Sequence, residues 1–249
     1  MPQYISVRFL PKLIDPAAMA DATAVIIDVL RASTTICTAL SGGARQILPC
    51  LEIPQAGDLK TAGQADLCGG ERGGVKIDGF DFGNSPFDYS QQAVAGKTIA
   101  FTTTNGTRAM QACQSAARVY IAAFVNLASV AQAIQADAKI ELVCAGTDGE
   151  ITEEDVLFAG ALVERLKEYQ AAKQADVELN DQAHIALSDW QSLTADDLVS
   201  RLSQRMRLSH GGRNLVQLGY ARDIDFAAQI DTLDILPQLD LKNWTIQRG

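Results

Sequence analysis

The chain has 249 residues, with 30 acidic side chains against 21 basic ones and a net charge of −9. That balance argues against nucleic acid or an anionic membrane as the main partner, while a local arginine cluster or a metal could still bind a small anion. No apolar run approaches the ~20 residues of a membrane span, there is no secretory signal pattern, and five cysteines without a Cys-x-x-Cys pair suggest neither a disulfide framework nor a zinc site.

A cytoplasmic globular protein is expected. Hydrophobic residues make up 47% of the chain, enough for one α/β domain spanning 1–249, with a sub-division near 172–180 where a helical C-terminal part begins. Residues 4–9 alternate as an early strand at a sheet edge. Residues 24–29 form a β-branched run suited to a strand buried on both faces. Asp28 and Arg31 interrupt it where the strand runs out, and Ser33, Thr34 and Thr35 offer hydroxyls to a helix that continues through Leu40. A strand, a polar turn and a helix N-terminus make an anion site, and an acid beside an arginine there suits metal plus phosphate. A structural Asp–Arg pair is the alternative.

Residues 46–50 read as a second strand and 53–63 as a helix with Pro54 in its first turn. The segment 66–86 is glycine-dense, has little helical period, and carries Glu71-Arg72 between glycine pairs and Asn84-Ser85-Pro86 beyond them. It reads as a long functional loop. Residues 97–102 form another buried strand, followed by Thr103-Thr104-Asn105-Gly106-Thr107 and a helix over 108–114. This repeats the organisation around Asp28.

A strand at 119–123, a helix at 127–136 capped by Asn126, and a strand at 139–144 follow. The last runs into Gly146-Thr-Asp148-Gly149-Glu150, and Thr152-Glu-Glu154-Asp155 opens a helix reaching about Ala172. Thr152 with Asp155 is either a capping box or part of a site. Beyond Ala172 the pattern is helical throughout, over 180–190, 194–204, 208–219 and 221–230. The turn Ser209-His210-Gly211-Gly212-Arg213 places an arginine at a helix start, and His184 reads as a structural residue among apolar neighbours.

Alternating strands and helices predict a three-layer α/β/α sandwich with a mostly parallel, mixed central sheet. Ligands then gather at the carboxyl ends of strands, so the turns after Asp28, Thr102 and Cys144 should share one edge.

Several chemistries are excluded by position. Gly96-Lys97-Thr98 lacks the upstream glycine of a P-loop, where Gln91 stands, and no Gly-x-Gly-x-x-Gly follows a strand. Leu30 occupies the second acid position of an Asp-x-Asp phosphatase, no cysteine has an arginine six residues on, and His210 has Ser209 before it instead of the arginine of histidine phosphatases. Two histidines cannot build a His-rich metal centre. Oxygen chemistry remains. Asp28, Glu71, Glu154 and Asp155 are hard donors suited to Mg²⁺. Arg31, Arg72 and Arg213 suit phosphate or carboxylate oxygens, and Ser33, Thr34, Thr103, Thr104, Asn105 and Gly106 sit where a phosphoryl group would be hydrogen-bonded. Which carboxylate does what is open, and Cys144 at a strand end reads as packing in preference to a nucleophile.

The stretches Val25-Ile-Ile-Asp-Val-Leu-Arg-Ala-Ser-Thr-Thr-Ile36, Gly69-Gly-Glu-Arg-Gly73 and Gly79-Phe-Asp-Phe-Gly-Asn-Ser-Pro86 run in order with four others. These are Thr102-Thr-Thr-Asn-Gly-Thr107, Cys144-Ala-Gly146, Thr152-Glu-Glu-Asp155 with Ala159-Gly160, and Ser209-His-Gly-Gly-Arg213. Together they resemble the 2-phosphosulfolactate phosphatase (ComB-like) family over roughly residues 24–219, with Thr152 where a serine is expected. The resemblance implies a family-specific α/β fold and a Mg²⁺-dependent phosphatase that converts (2R)-2-phospho-3-sulfolactate to 3-sulfolactate and phosphate, a step of coenzyme M synthesis in methanogenic archaea. In that light Asp28 and Glu71 lead as metal ligands, with Glu154 or Asp155 next. Arg31, Arg72 and Arg213 would take anionic groups, and the 103–106 turn the phosphate. The alternatives are a non-catalytic carrier of phosphorylated hydroxy acids, a phosphatase for a different small phospho-hydroxy acid, and an interaction protein with vestigial loops. The apolar C-terminal helices leave room for a homodimer.

Overall fold

Every residue of the run Thr23–Ile27 is buried. Val25 and Ile27 enter one apolar core while Ala24 and Ile26 enter another, as the two-residue period of a strand between two helical layers requires. The computed structural model describes residues 2–193 and 196–249.

Its strands are β1 (Gln3–Arg8), β2 (Thr23–Ile27), β3 (Gln46–Cys50), β4 (Leu67–Arg72), β5 (Val75–Lys76) and β6 (Thr98–Thr102). They continue with β7 (Arg118–Ala122), β8 (Lys139–Cys144), β9 (Val177–Leu179), β10 (Pro237–Asp240) and β11 (Thr245–Arg248). The helices are α1 (Pro16–Met19), α2 (Ala32–Ser41), α3 (Ile53–Thr61), α4 (Gln91–Val94), α5 (Gly106–Ala112) and α6 (Leu127–Ile134). After them come α7 (Glu153–Ala172), α8 (Asp181–Gln191), α9 (Leu198–Leu208), α10 (His210–Gln217) and α11 (Ala221–Ala227). None is long and apolar enough to cross a membrane.

All strands join one mixed sheet in the order β5-β4-β6-β3-β11-β10-β7-β2-β8-β1-β9. Helices cover both faces, α6 to α11 over one core and α2, α4 and α5 over the other, which makes the expected α/β sandwich. A smaller apolar cluster of Cys50, Ala56, Cys68, Phe80 and Ala100 lies under α3.

Two groups of parallel strands make up the sheet, β4-β6-β3 and β7-β2-β8-β1-β9. The hairpin β10–β11 separates them, pairing antiparallel with β7 through β10 and with β3 through β11. Three antiparallel steps in succession leave β3 running opposite to β7. The sheet is therefore two parallel halves of opposite sense around a central hairpin, a mostly parallel, mixed sheet as the sequence pattern predicts.

The structure departs from the sequence reading elsewhere. The presumed loop 66–86 contains β4, which pairs parallel to β6, and its short antiparallel partner β5. The region after Ala172 includes β9, β10 and β11 besides its helices. Strand β1 lies between β8 and β9, one place inside the edge. The helix expected at 194–204 is found at Leu198–Leu208, and Thr194 lies outside the described residues. His184 is exposed, because α8 buries Ala183, Ala186, Leu187 and Trp190 at i, i+3, i+4 and i+7 and turns His184 off that stripe.

Candidate active site

Strands β2, β4, β6 and β8 deliver their carboxyl ends to one cleft, which holds about 510 Å³ of empty space, partly open to solvent. Asp28, Leu30 and Arg31 enter after β2, Glu71, Gly73 and Gly74 from β4, Thr103, Thr104 and Asn105 after β6, and Thr147 and Asp148 after β8. Gly211, Asn214 and Leu215 of α10 and Asn84 complete the wall. The convergence expected from the three strand ends is present, although it joins both halves of the sheet.

Asp28 is 7% exposed. Its main-chain N–H donates to Ser33 Oγ at 3.0 Å, and its Oδ1 accepts the Ala32 N–H at 3.1 Å. A Cβ on Gly106 would stand 3.0 Å from both Asp28 Oδ2 and Thr103 Oγ1, so the absence of a side chain there keeps the cleft floor open.

Glu154 and Asp155, 1% and 2% exposed, lie in the first turn of α7. Asp155 Oδ1 accepts the Val29 N–H at 2.9 Å and Oδ2 the Gly146 N–H at 3.0 Å. This settles the choice posed by Thr152-Glu-Glu-Asp155: Thr152 caps nothing with its side chain, and Asp155 ties the β2 and β8 ends together. Glu154 Oε2 is buried without a partner, and a Cβ on Gly211 would come within 2.3 Å of Oε1. Only glycine lets α10 approach that carboxyl so closely.

Burial, joined by mutual repulsion, pushes all three carboxyls above the usual range. For Asp28, burial is foremost and Asp155 and Glu71 add to it against the pull of the Ala32 N–H and Arg31. Asp155 is raised by burial and by Glu154 in spite of its two N–H donors. Glu154 is raised by burial and the nearby acids, against the Ser209 hydroxyl.

The arginines do not supply the missing positive charge. Arg31 lines the cleft, but its Nη1 is paired with Asp223 at 2.7 Å, its Nη2 donates to the Gly74 carbonyl at 2.7 Å, and its guanidinium lies over the Tyr220 ring. Arg72 points away, donating to the Glu71 and Leu51 carbonyls and to Thr102 Oγ1. Successive strand residues face opposite ways, so Glu71 and Arg72 cannot both enter. Arg213 is exposed and donates to the Leu208 carbonyl. Helical spacing sends Gly211, Asn214 and Leu215 inward and Arg213 out. Arg72 and Arg213 are therefore removed from the anion-binding set.

Ser33 and Thr34 leave it as well. Ser33 Oγ serves the Asp28 N–H, and Thr34 Oγ1 donates to the Val29 carbonyl at 2.7 Å, so both hydroxyls build the turn. Cys144 is fully buried at the end of β8, where burial pushes its thiol well up; it is packing.

The four expected metal ligands do not form one set. Glu71 spends Oε1 on the Thr104 N–H at 2.9 Å and Oε2 on the Gly74 N–H at 2.7 Å, which fixes two cleft loops. Among the described residues no three His, Cys, Asp or Glu side chains converge as a metal centre. The donor chemistry still suits a divalent cation. Two oxygens in or next to the cleft, Asn84 Oδ1 and Glu154 Oε2, are buried without a partner, and Asp28, Glu154 and Asp155 crowd one another beside a cleft whose one lining arginine is already paired.

A family model described as 2-phosphosulpholactate phosphatase matches residues 8–242. The chain belongs to that family. With its relatives it is a phosphoric monoester hydrolase. It is 37% identical to a protein of Carboxydothermus hydrogenoformans, over 94% of this chain and 92% of the relative. It is 41% identical to one of Symbiobacterium thermophilum, over 88% and 91%, and 40% identical to one of Thermotoga maritima, over 87% and 88%. Each of the three is named probable 2-phosphosulfolactate phosphatase.

In this family member four further polar residues line the cleft, Asn84, Thr147, Asp148 and Asn214, to which the sequence pattern assigns no individual role although the first three lie in segments it marks as functional. Thr147 and Asp148 follow β8 as Asp28 follows β2, which is the strand-end placement that the sequence predicts for this turn. Asn214 was overshadowed by the charge of its neighbour Arg213.

Proposed function

We propose that this chain is a Mg²⁺-dependent phosphatase that hydrolyses 2-phospho-3-sulfolactate to 3-sulfolactate and phosphate. One observation carries the reading: Glu154 Oε2 is buried and unpartnered behind the cleft residue Gly211, within electrostatic reach of Asp28, beside a cleft whose arginine is already paired. A cation entering there would favour the ionised forms of these carboxyls and supply the positive charge that a phosphate ester needs. The names of the relatives supply the substrate.

Asp28 and Glu154 would hold the metal, which would supply the positive charge that draws the phosphoryl oxygens. Asp155 and Glu71 position the site through the main-chain N–H groups they accept. Thr103 and Asn105 present a hydroxyl and a carboxamide to the phosphoryl group from the turn that Glu71 fixes at Thr104. As the water oxygen bonds to phosphorus and the ester P–O bond breaks, Asp148, an exposed residue of the cleft lining, takes the proton that the water gives up, and the leaving alkoxide takes a proton from solvent water to become the product hydroxyl.

The test is phosphate release from 2-phosphosulfolactate with Mg²⁺, with EDTA, and by D28N. Release should need the metal and fall ~100-fold or more in D28N, a loss of ~2.7 kcal/mol of transition-state stabilisation. Turnover untouched by EDTA would exclude the metal reading, and binding without turnover would leave a carrier.

A further inference from the structure

Gly74 closes the turn of the β4–β5 hairpin against α10, and both of its main-chain groups are engaged. Its N–H donates to Glu71 Oε2 at 2.7 Å and its carbonyl accepts from Arg31 Nη2 at 2.7 Å. Its φ is +81°, and a Cβ there would stand 2.6 Å from Leu218 Cδ1 and 3.3 Å from Asn214 Nδ2. Glycine thus keeps a gap between the turn and α10, with the Asn214 carboxamide nitrogen at its edge. Gly74 and Asn214 both line the cleft, and Asn214 is half-buried there. Gly211, Asn214 and Leu215 share the inward stripe of α10, so the helix itself holds the carboxamide at the cleft. Since Gly74 already has its acceptor and its donor, the Asn214 N–H groups are not what fixes the turn.

Resting on the phosphatase reading above, we infer that Asn214 is a specificity-determining residue whose carboxamide N–H groups donate to a non-reacting oxyanion of the substrate, its carboxylate or its sulfonate. The ionised ester carries oxygen acceptors and no hydrogen to donate, so the protein must meet its free ends with donors. Thr103 and Asn105 serve the phosphoryl group from the turn after β6. Glu71 takes the Thr104 N–H of that turn with one oxygen and the Gly74 N–H with the other. The turn and the gap at Asn214 are therefore neighbours, close enough for one small ester to reach both. A neutral donor also suits this place. A lysine or arginine beside Glu71 and Asp28 would be drawn into an ion pair, as Arg31 is by Asp223, whereas a carboxamide keeps its N–H groups for the ligand.

The experiment is steady-state kinetics with Mg²⁺ on three esters. These are 2-phosphosulfolactate, 2-phospholactate, which lacks the sulfonate, and the phosphate ester of 2-hydroxypropane-1-sulfonate, which lacks the carboxylate. Wild type, N214A and N214D are compared, with thermal melting as a control for folding; N214D keeps the size of the side chain and removes its donors. On 2-phosphosulfolactate N214A should lose ~10-fold or more in kcat/KM, chiefly through KM. That loss should vanish on the ester missing the group that Asn214 holds and persist on the other, which tells sulfonate from carboxylate. N214D should lose more than N214A wherever the group is present, because a carboxylate there repels it. Equal losses on all three esters, or no loss on any, overturn the assignment. A folded wild type that cleaves none of the three refutes the phosphatase reading itself, a failure distinct from that of Asn214.

Discussion

Asp155 Oδ1 accepts the main-chain N–H of Val29 at 2.9 Å, next in sequence to Asp28, while its other oxygen takes the N–H of Gly146. One carboxylate on α7 therefore fixes the ends of two neighbouring strands, and it does so beside the acid that lines the cleft. D155A leaves two buried donors unmet. At about 1–3 kcal/mol for each, the variant should unfold at clearly lower urea and lose phosphatase activity with its fold. Full stability in D155A would show that the tie is dispensable.

Glu154 behaves oppositely. Its Oε2 has no partner, and nearby acids and burial disfavour its charge. E154Q removes that burden without changing shape, so the metal-free variant should melt higher than metal-free wild type, by on the order of 1 kcal/mol of stability. Mg²⁺ should raise the melting temperature of wild type and much less that of E154Q. A variant that is both metal-responsive and no more stable would remove Glu154 from the metal site.

The arginines should separate by experiment as they do in space. R213A, altering an exposed side chain outside the cleft, should keep kcat/KM within about twofold of wild type. D223A strips the partner from a buried guanidinium and should cost about 3–5 kcal/mol, read by chemical denaturation. Loss of turnover in R213A with an intact fold would restore it as a substrate-binding residue.

Strong acid should remove one stabilising contribution at the β4 end of the molecule. Asp81 is raised by partial burial, but the Cys68 N–H at 2.7 Å and the Lys60 ammonium at 2.6 Å overcome this and hold it below the usual carboxylate range. A carboxyl depressed in the folded state stabilises the fold above its unfolded pKa of about 3.9, and that contribution is lost as pH falls through the lower folded value. Wild type should therefore lose more stability between about pH 4 and pH 2 than D81N does, as measured by melting across that window.

The strand–turn–helix units at β2–α2, β6–α5 and β8–α7 were legible because buried central strands demand unbroken apolar runs and the turns after them are polar. β4 was not. Gly69 and Gly70 have no strand propensity, yet a Cβ on Gly70 would fall 2.0 Å from the Thr102 carbonyl oxygen, so the glycines that hid the strand allow its close approach to β6. β10 and β11 are short and polar, and only pairing with β7 and β3 defines them. At the site, Asp28 and the 103–105 turn were readable from strand ends. Arg72 and Arg213 misled because residue type identifies a charge, whereas strand alternation and helical spacing decide where it points. Ser33 and Thr34 misled for another reason: a turn tight enough to build the site consumes its own hydroxyls.

The central hairpin also sets a timetable. β3 is complete at Cys50 and β7 at Ala122, whereas the hairpin that joins them spans Pro237–Arg248. At typical synthesis rates of about 5–20 residues per second, the growing chain exposes two raw strand edges for on the order of ten seconds before their partner is made. Such edges are templates for pairing with other chains. On the ribosome, then, each half of the sheet must be shielded or left unformed until the piece that completes both of them emerges.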